Sequence, residues 1–399
     1  MARFAEKMVQ LGTERSEIRE AFAFAQARAA EVGPDKVDDF SIGNPSVPAP
    51  KQVGDLVKEL VDAADPVQLH GYTPAQGDGQ VRKALADDLN RRYGTDYDGD
   101  CFYLTAGAAA GLRIVLSALG CPGDAFVTMA PYFPEYKVFV ESAGCTLVPV
   151  PADLEDFQID FAAFQAALTP QTKAVIINSP NNPTGVVYSQ ATIEKLAQTL
   201  EEKSQEYGHT IYLISDEPYR EIVYGEEPLP WVPSYYANTL VCYSYSKSLS
   251  LPGQRIGYVL VPKCAEGFGE LYAAVCGAGR ALGYVCAPSL FQFVVARCTG
   301  QTADIGIYRE NRDILLNALR EMGYTCAQPD GAFYLFPRTL EPDAHAFCQR
   351  ARKYDLVLVP GDSFGCPGHV RISYCVPTEQ IRRSLVKFQK LAEEYGLGK

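Results

Sequence analysis

Histidine is scarce in this sequence, and no long apolar run opens it. The four histidines among 399 residues stand far apart, so no metal-ligand spacing appears. The twelve cysteines include no Cys-x-x-Cys pair and mostly sit beside apolar neighbours, as at Val275-Cys276 and Val285-Cys286. They read as small buried hydrophobes in a reducing compartment. The first thirty residues are broken by Glu6, Lys7, Glu14, Arg15, Glu17, Arg19 and Glu20, which excludes a signal peptide's apolar core or a membrane span there and makes the cytoplasm the expected location. Basic clusters are missing as well, and a net charge of −12 argues against a nucleic-acid backbone as partner. No internal repeat or low-complexity segment occurs.

What is present is ordinary globular material. The chain is 47% hydrophobic and 21% charged, and at 399 residues it is long enough for two domains or one large α/β unit with an appendage. Residues 16 to 32 form an expected amphipathic helix, opened by Ser16 with Glu17 and Glu20 in its first turn. A proline-rich loop follows, from Ser41 to Pro50. Val53, Leu56, Val57, Leu60 and Val61 share one helix face, and Val81, Leu85 and Leu89 build a second helix ended by Gly94. From Cys101 onward short apolar runs alternate with helical segments: 101–104, 125–129, 146–150, 174–177, 211–214 and 240–243. That alternation predicts a mostly parallel sheet covered by helices. Beyond about residue 290 the pattern loosens into helices near 302–322, 342–353 and 377–395, with strands at 333–335, 356–359 and 370–374. The expected division is a large domain over 47–290 and a smaller α+β domain made of 1–46 and 291–399.

The stretch from Ser244 to Tyr258 is the most suggestive. Lys247 is flanked by Ser244, Ser246 and Ser248 just after an apolar run, and Arg255 follows eight residues later. A buried strand would deliver this lysine into a polar cleft, where a lowered pKa lets an amine form a Schiff base with an aldehyde. Hydroxyls and an arginine are what one places around a phosphate. The combination suggests a pyridoxal phosphate site, although a solvated turn would carry the same residues.

In an open α/β sheet ligands sit at the carboxyl ends of the strands, so the polar residues after the other runs matter. Gly107, Ala108 and Ala109 offer bare backbone N–H groups at a helix start, where phosphate binds well; close helix packing would also explain them. Phe133, in Pro131-Tyr132-Phe133-Pro134, is either a core aromatic or a ring laid against another ring. Asn182 sits among prolines, in a turn or aimed at a ligand oxygen. Asp216 stands so deep that it needs a cation or donor, and a protonated pyridine nitrogen is one.

Taken together, Asn182-Pro183-x-Gly185, Asp216-x-x-Tyr219, Ser244-x-Ser246-Lys247 and Arg255-x-Gly257-Tyr258 resemble the class I/II aminotransferases, the fold type I pyridoxal phosphate family. Tyr72, Gly107-Ala108, Pro131-x-Phe133-Pro134-x-Tyr136, Gly331-Ala332-Phe333-Tyr334 and Val370-Arg371-Ile372-Ser373 extend the match from about residue 40 to 375. The resemblance implies a seven-stranded, mostly parallel sheet with a second, smaller α+β domain. It implies that Lys247 holds pyridoxal 5'-phosphate as a Schiff base and then shuttles the substrate's proton, through a pyridoxamine phosphate intermediate. Asp216 would pair with the pyridinium nitrogen, Asn182 and Tyr219 with the phenolic oxygen, and Phe133 with the ring face. Gly107, Ala108, Ala109, Ser244, Ser246 and Arg255 would hold the phosphate, joined by Tyr72 of a neighbouring subunit in a homodimer. Gly43, Asn182 and Arg371 would bind substrate, Arg371 by its α-carboxylate.

The expected reaction moves an amino group from an L-amino acid to a 2-oxo acid in amino acid metabolism, on its biosynthetic side. Aspartate specificity and an aromatic or broad specificity both stay open, with Arg280 the candidate reader of an acidic side chain. A C–S β-lyase of the same fold is the alternative, because the same carbanion serves both reactions. A non-catalytic pyridoxal phosphate regulator is opposed by the complete catalytic set and the lack of a DNA-binding extension. A nicotinamide dehydrogenase is opposed by the missing Gly-x-Gly-x-x-Gly.

Overall fold

The computed structural model describes residues 4–151, 153–225 and 228–397. Its centre is a seven-stranded sheet in the order Phe102–Thr105, Gly257–Leu260, Thr239–Ser244, Tyr212–Asp216, Thr172–Asn178, Ala125–Met129, Thr146–Val150. Five of these strands pair in parallel, and Gly257–Leu260 runs antiparallel to both its neighbours. The apolar runs are continuous because helices cover both faces. Side chains still alternate within them: Ala174 and Ile176 join the core on one face, Val175 and Ile177 the core on the other.

The flanking helices start and stop where their caps dictate. Ser16 accepts a hydrogen bond from the Arg19 amide and opens Glu17–Val32. Asp78 caps Gly79–Tyr93, which ends at Gly94. Val53 and Leu56 of Lys51–Ala63 are buried, but Val61 at the edge of the expected face is 51% exposed. The helix Ser289–Ala296 buries Val294 and Val295 with Val53, Leu85 and Leu89, so the chain remains packed on the sheet side past residue 290.

A second core gathers Phe40, Leu315, Leu319, Phe333, Ile372 and Phe388. Helices Gly306–Glu321, Ala344–Arg352 and Thr378–Glu394 surround a three-stranded antiparallel sheet of Val359–Pro360, Val370–Ser373 and Tyr334–Leu335. The single strand expected at 356–359 is divided. Leu356–Val357 pairs in parallel with Asp38–Asp39, while Val359–Pro360 pairs with Val370–Arg371. That division ties the segment after the first long helix to the C-terminal region. Tyr219 and Ile222, from the turn after a central strand, pack into the same core. Among the described residues no helix is long and apolar enough to cross a membrane.

Candidate active site

Three neighbouring strands end on polar residues: Asn178, Asp216 and Ser244. Together with the helix that starts at Ala108 they open a cavity of about 280 Å³. Lys247 lines it, as do Gly43, Ala108, Ala109, Phe133, Asn182, Asp216, Tyr219, Ser244, Ser246, Arg255 and Arg371. A larger cleft of about 780 Å³, between residues 154–157 and 338–342, contains none of these side chains.

Lys247 sits on the short helix Tyr245–Ser248 directly after a central strand, and its Nζ donates to the Gly43 carbonyl at 2.6 Å. Burial, with Arg371 and Arg255 nearby, brings its pKa down to about 8. Across the cavity Asp216 is 5% exposed. Its Oδ2 accepts from Tyr136 Oη at 2.6 Å, and its Oδ1 is buried with no partner. Burial raises its pKa to about 7 despite the Tyr136 hydrogen bond, and Glu217 adds to the rise. Asn178 fixes the strand end by donating Nδ2 to the Asp216 carbonyl at 2.8 Å and accepting from the Asn182 amide at 2.7 Å.

The anion-binding end is made of backbone and hydroxyls. Gly107 precedes the helix Ala108–Leu119 with φ +85°, and a Cβ there would press on the Arg255 guanidinium at 2.9 Å. Arg255 itself holds a left-handed φ of +51°, a conformation non-glycine residues keep only where the surroundings require it. Ser244 and Ser246 share a hydroxyl hydrogen bond of 2.6 Å.

Arg371 is a buried cation without an acid. It is 2% exposed and lies between the rings of Tyr334 at 4.9 Å and Phe364 at 5.0 Å. It donates to Asn182 Oδ1 at 3.0 Å and to the Ser41 carbonyl at 2.5 Å, and its Nε is unpartnered. Among the described residues no carboxylate pairs with it. A buried cation with an unpartnered N–H and no acid beside it is suited to an anionic ligand. Gly43 lies against Tyr334, whose hydroxyl any Cβ there would overlap and which is bonded to Tyr219 Oη at 2.8 Å.

Two expected residues lie outside the cavity of their own chain. Tyr72 is 89% exposed, and Arg280 is exposed at the end of the helix Phe268–Ala281. Conversely, Asn178, Tyr334 and Ile18 line the cavity, and Tyr136 bonds Asp216, without having been assigned roles from the sequence. Tyr136 and Tyr334 belong to quoted motifs, so the signal was there; Ile18 had none.

Residues 35–388 match the family "Aminotransferase class I and II". This chain belongs to that family. The aspartate/prephenate aminotransferase of Thermus thermophilus is 30% identical over 378 residues, covering 92% of this chain and 94% of that protein. The aspartate aminotransferase of Thermotoga maritima is 29% identical over 372 residues, covering 92% and 94%. Among solved structures, an amino transferase from Eubacterium rectale superposes with a TM-score of 0.97 at 57% identity, covering 99% of this chain and all of that one (100%). The aspartate aminotransferase from Thermus thermophilus with maleate gives 0.85 at 28% identity, covering 98% and 100%. The sheet, its helices and these neighbours make this aminotransferase a fold type I enzyme. The family uses pyridoxal phosphate.

The cavity fits that cofactor on its own features. The orphaned Asp216 Oδ1 suits a protonated ring nitrogen, a neutral-prone amine suits an aldehyde, and the crowded Gly107–Arg255 cradle suits a phosphate.

Proposed function

We propose that this aminotransferase moves the amino group of an L-amino acid to a 2-oxo acid with pyridoxal 5'-phosphate bonded to Lys247. The observation that carries this reading is the pairing, in one cavity, of the Lys247 amine with the unpartnered oxygen of Asp216. When bound, the cofactor supplies an electron sink for the carbanion left by loss of the substrate's Cα proton.

Each residue's task follows from its chemistry. Asp216 holds the ring nitrogen's proton, as an opposite charge at short range does best. Asn182, whose Oδ1 already accepts from Arg371, keeps its Nδ2 to donate to the phenolic oxygen beside Tyr219. Phe133 covers the ring face. Gly107, Ala108, Ala109, Ser244, Ser246 and Arg255 hold the phosphate. Arg371 grips the α-carboxylate with its paired N–H groups and so orients the Cα–H bond. Lys247 would take the substrate's Cα proton and return it, as general base and then general acid.

The small part carries Gly43 and Arg371 and is proposed to comprise the N-terminal segment to residue 46 and the region after about residue 298, with the large part spanning the rest. Its closure would bury the substrate and exclude water. A homodimer completes the site through Tyr72 of a second copy. Exposed Val67 (80%), Tyr72 (89%) and Val285 (62%) support such a partner. All twelve cysteines are free thiols, which favours the reducing cytoplasm. Relatives named for aspartate and prephenate favour an aspartate-class donor. An acidic side chain would then be read across the subunit boundary, where Arg280 is the candidate cation.

A panel of amino acids with 2-oxoglutarate tests the reaction. Glutamate and a new 2-oxo acid should form in step; pyruvate and ammonia without need of an acceptor would contradict transfer and indicate a lyase. Arg371→Gln should raise KM for both amino acid and oxo acid at least about tenfold, since a bidentate charged contact is lost. An unchanged KM would remove Arg371 from substrate binding. Cofactor uptake should also depend on pH. With a pKa of about 8, Lys247 is neutral in about a tenth of molecules at pH 7, against about one in 3,000 for an ordinary lysine. The uptake rate, followed by cofactor absorbance, should climb about tenfold per unit below pH 8 and level off above it. A midpoint above pH 10 would place the amine in water rather than in this cavity.

A further inference from the structure

Asp216 does not stand alone at the end of its strand. Glu217 follows it and, by the alternation of a strand, turns away from the cavity into the core. It is 2% exposed, and its two oxygens accept from Ser215 Oγ at 2.7 Å and Arg220 Nε at 2.5 Å. Arg220, 3% exposed, reaches back from the following turn. Its guanidinium lies between the rings of Trp231 at 4.7 Å and Tyr243 at 4.6 Å, donates to Tyr258 Oη at 2.9 Å, and leaves Nη2 unpartnered. A buried ion pair of this kind is a poor way to stabilise a fold, because desolvation offsets most of its attraction. Its position, one residue from Asp216, the only acid lining the cavity among the described residues, suggests another use.

We infer that Arg220 is a positioning residue that neutralises Glu217, so that Asp216 keeps the one uncompensated carboxylate of the site and the proton affinity its task requires. This rests on the role proposed above for Asp216. Without Arg220 two adjacent buried carboxylates would compete for one proton, and Asp216 would give up its charge. Without Glu217 the buried guanidinium would lose its hydrogen-bonded acid and, with Glu221 still nearby, would favour the charged form of Asp216. The other groups facing Asp216 are Tyr136 from the helix Glu135–Ser142, Tyr219 from its own turn, Cys242 opposite it on Thr239–Ser244, and Lys247, Arg255 and Arg371 across the cavity. Asn178, opposite it on Thr172–Asn178, carries no charge. All of these are common to the variants compared, so differences between variants report on the pair.

The test uses the cofactor-free enzyme with carboxyl-labelled aspartate, following the Asp216 resonance against pH by NMR and assigning it by its loss in Asp216→Asn. Glu217→Gln should lower the Asp216 midpoint by about one pH unit, because arginine keeps its charge. Arg220→Met should raise it by about as much, and the double variant should return it to the wild-type position. A cooperative denaturant transition followed by far-ultraviolet circular dichroism verifies that each variant is folded, since Trp231 itself stacks on Arg220. A shift of the stated sign in either folded single variant, reversed in the double, supports the inference. One midpoint common to all folded variants, or a double variant that retains a single's shift, overturns it and marks the pair as a scaffold. That failure would leave the role of Asp216 intact, since the latter is read separately from Asp216→Asn in the loaded enzyme.

Discussion

Lys247→Ala is expected to reduce turnover at least about 10⁴-fold while cofactor still binds without a covalent bond. The loss would be large because one side chain would perform both proposed tasks, holding the cofactor and moving the Cα proton. The site is built to make that amine reactive. It is buried beside two cations and has a pKa of about 8, so about a tenth is neutral at pH 7, far more than for an ordinary lysine. Its hydrogen bond to the Gly43 carbonyl holds it in the cavity that Arg371 also lines. Retained cofactor in Lys247→Ala, detected by absorbance, would come from Arg255, Ser244, Ser246 and the helix start at Ala108. Single-turnover assays with a panel of amino acids measure the loss; a rate within tenfold of wild type would contradict the assignment.

Asp216→Asn is expected to act in opposite directions on catalysis and stability. Turnover should fall about 10² to 10³-fold, as when a preorganised charge is removed from a buried site. Stability of the cofactor-free protein should rise at pH 8. The folded-state pKa of about 7 lies above the ordinary aspartate value of 3.8. As pH rises from about 4 to 7 the unfolded chain ionises while the folded one resists, so stability drains away through that window and the full penalty of about 4 kcal/mol stands above it. Asparagine has no such penalty and still accepts from Tyr136, but its buried amide donor lacks a partner, which takes back about 1 to 3 kcal/mol. A net gain of about 1 to 3 kcal/mol is therefore expected at pH 8, turning into a net loss toward pH 4, where the Asp216 penalty is gone and the amide cost remains. Denaturant midpoints at the two pH values measure it. Equal stability at pH 8, or a gain independent of pH, would mean that Asp216 is not held as described.

The lining of the cavity was legible in the sequence because strand ends in an open parallel sheet are where ligands sit, and Asn182, Asp216, Tyr219 and Lys247 all follow apolar runs. The sequence was less informative wherever distant segments meet. Gly257–Leu260 follows the Arg255 turn without its own polar boundary, and only its antiparallel insertion between Phe102–Thr105 and Thr239–Ser244 makes it a strand. The run 356–359 looks continuous, yet its two halves pair with different partners, since Leu356–Val357 meets Asp38–Asp39. Tyr136 and Asp216 lie 80 residues apart, and Tyr219 and Tyr334 lie 115 apart, so neither hydrogen bond has a local signature. Ile18 reaches the cavity only because the N-terminal helix folds back onto it. Tyr72 and Arg280 are exposed on their own chain, so the proposed roles for them would require a second copy, a level no single chain displays.

The most direct test of the central claim is borohydride reduction of the loaded enzyme followed by peptide mass mapping. The account predicts one stable cofactor adduct, on the peptide containing Lys247, with none after Lys247→Ala. An adduct on another lysine, or cofactor-dependent transfer with no adduct at all, would contradict it.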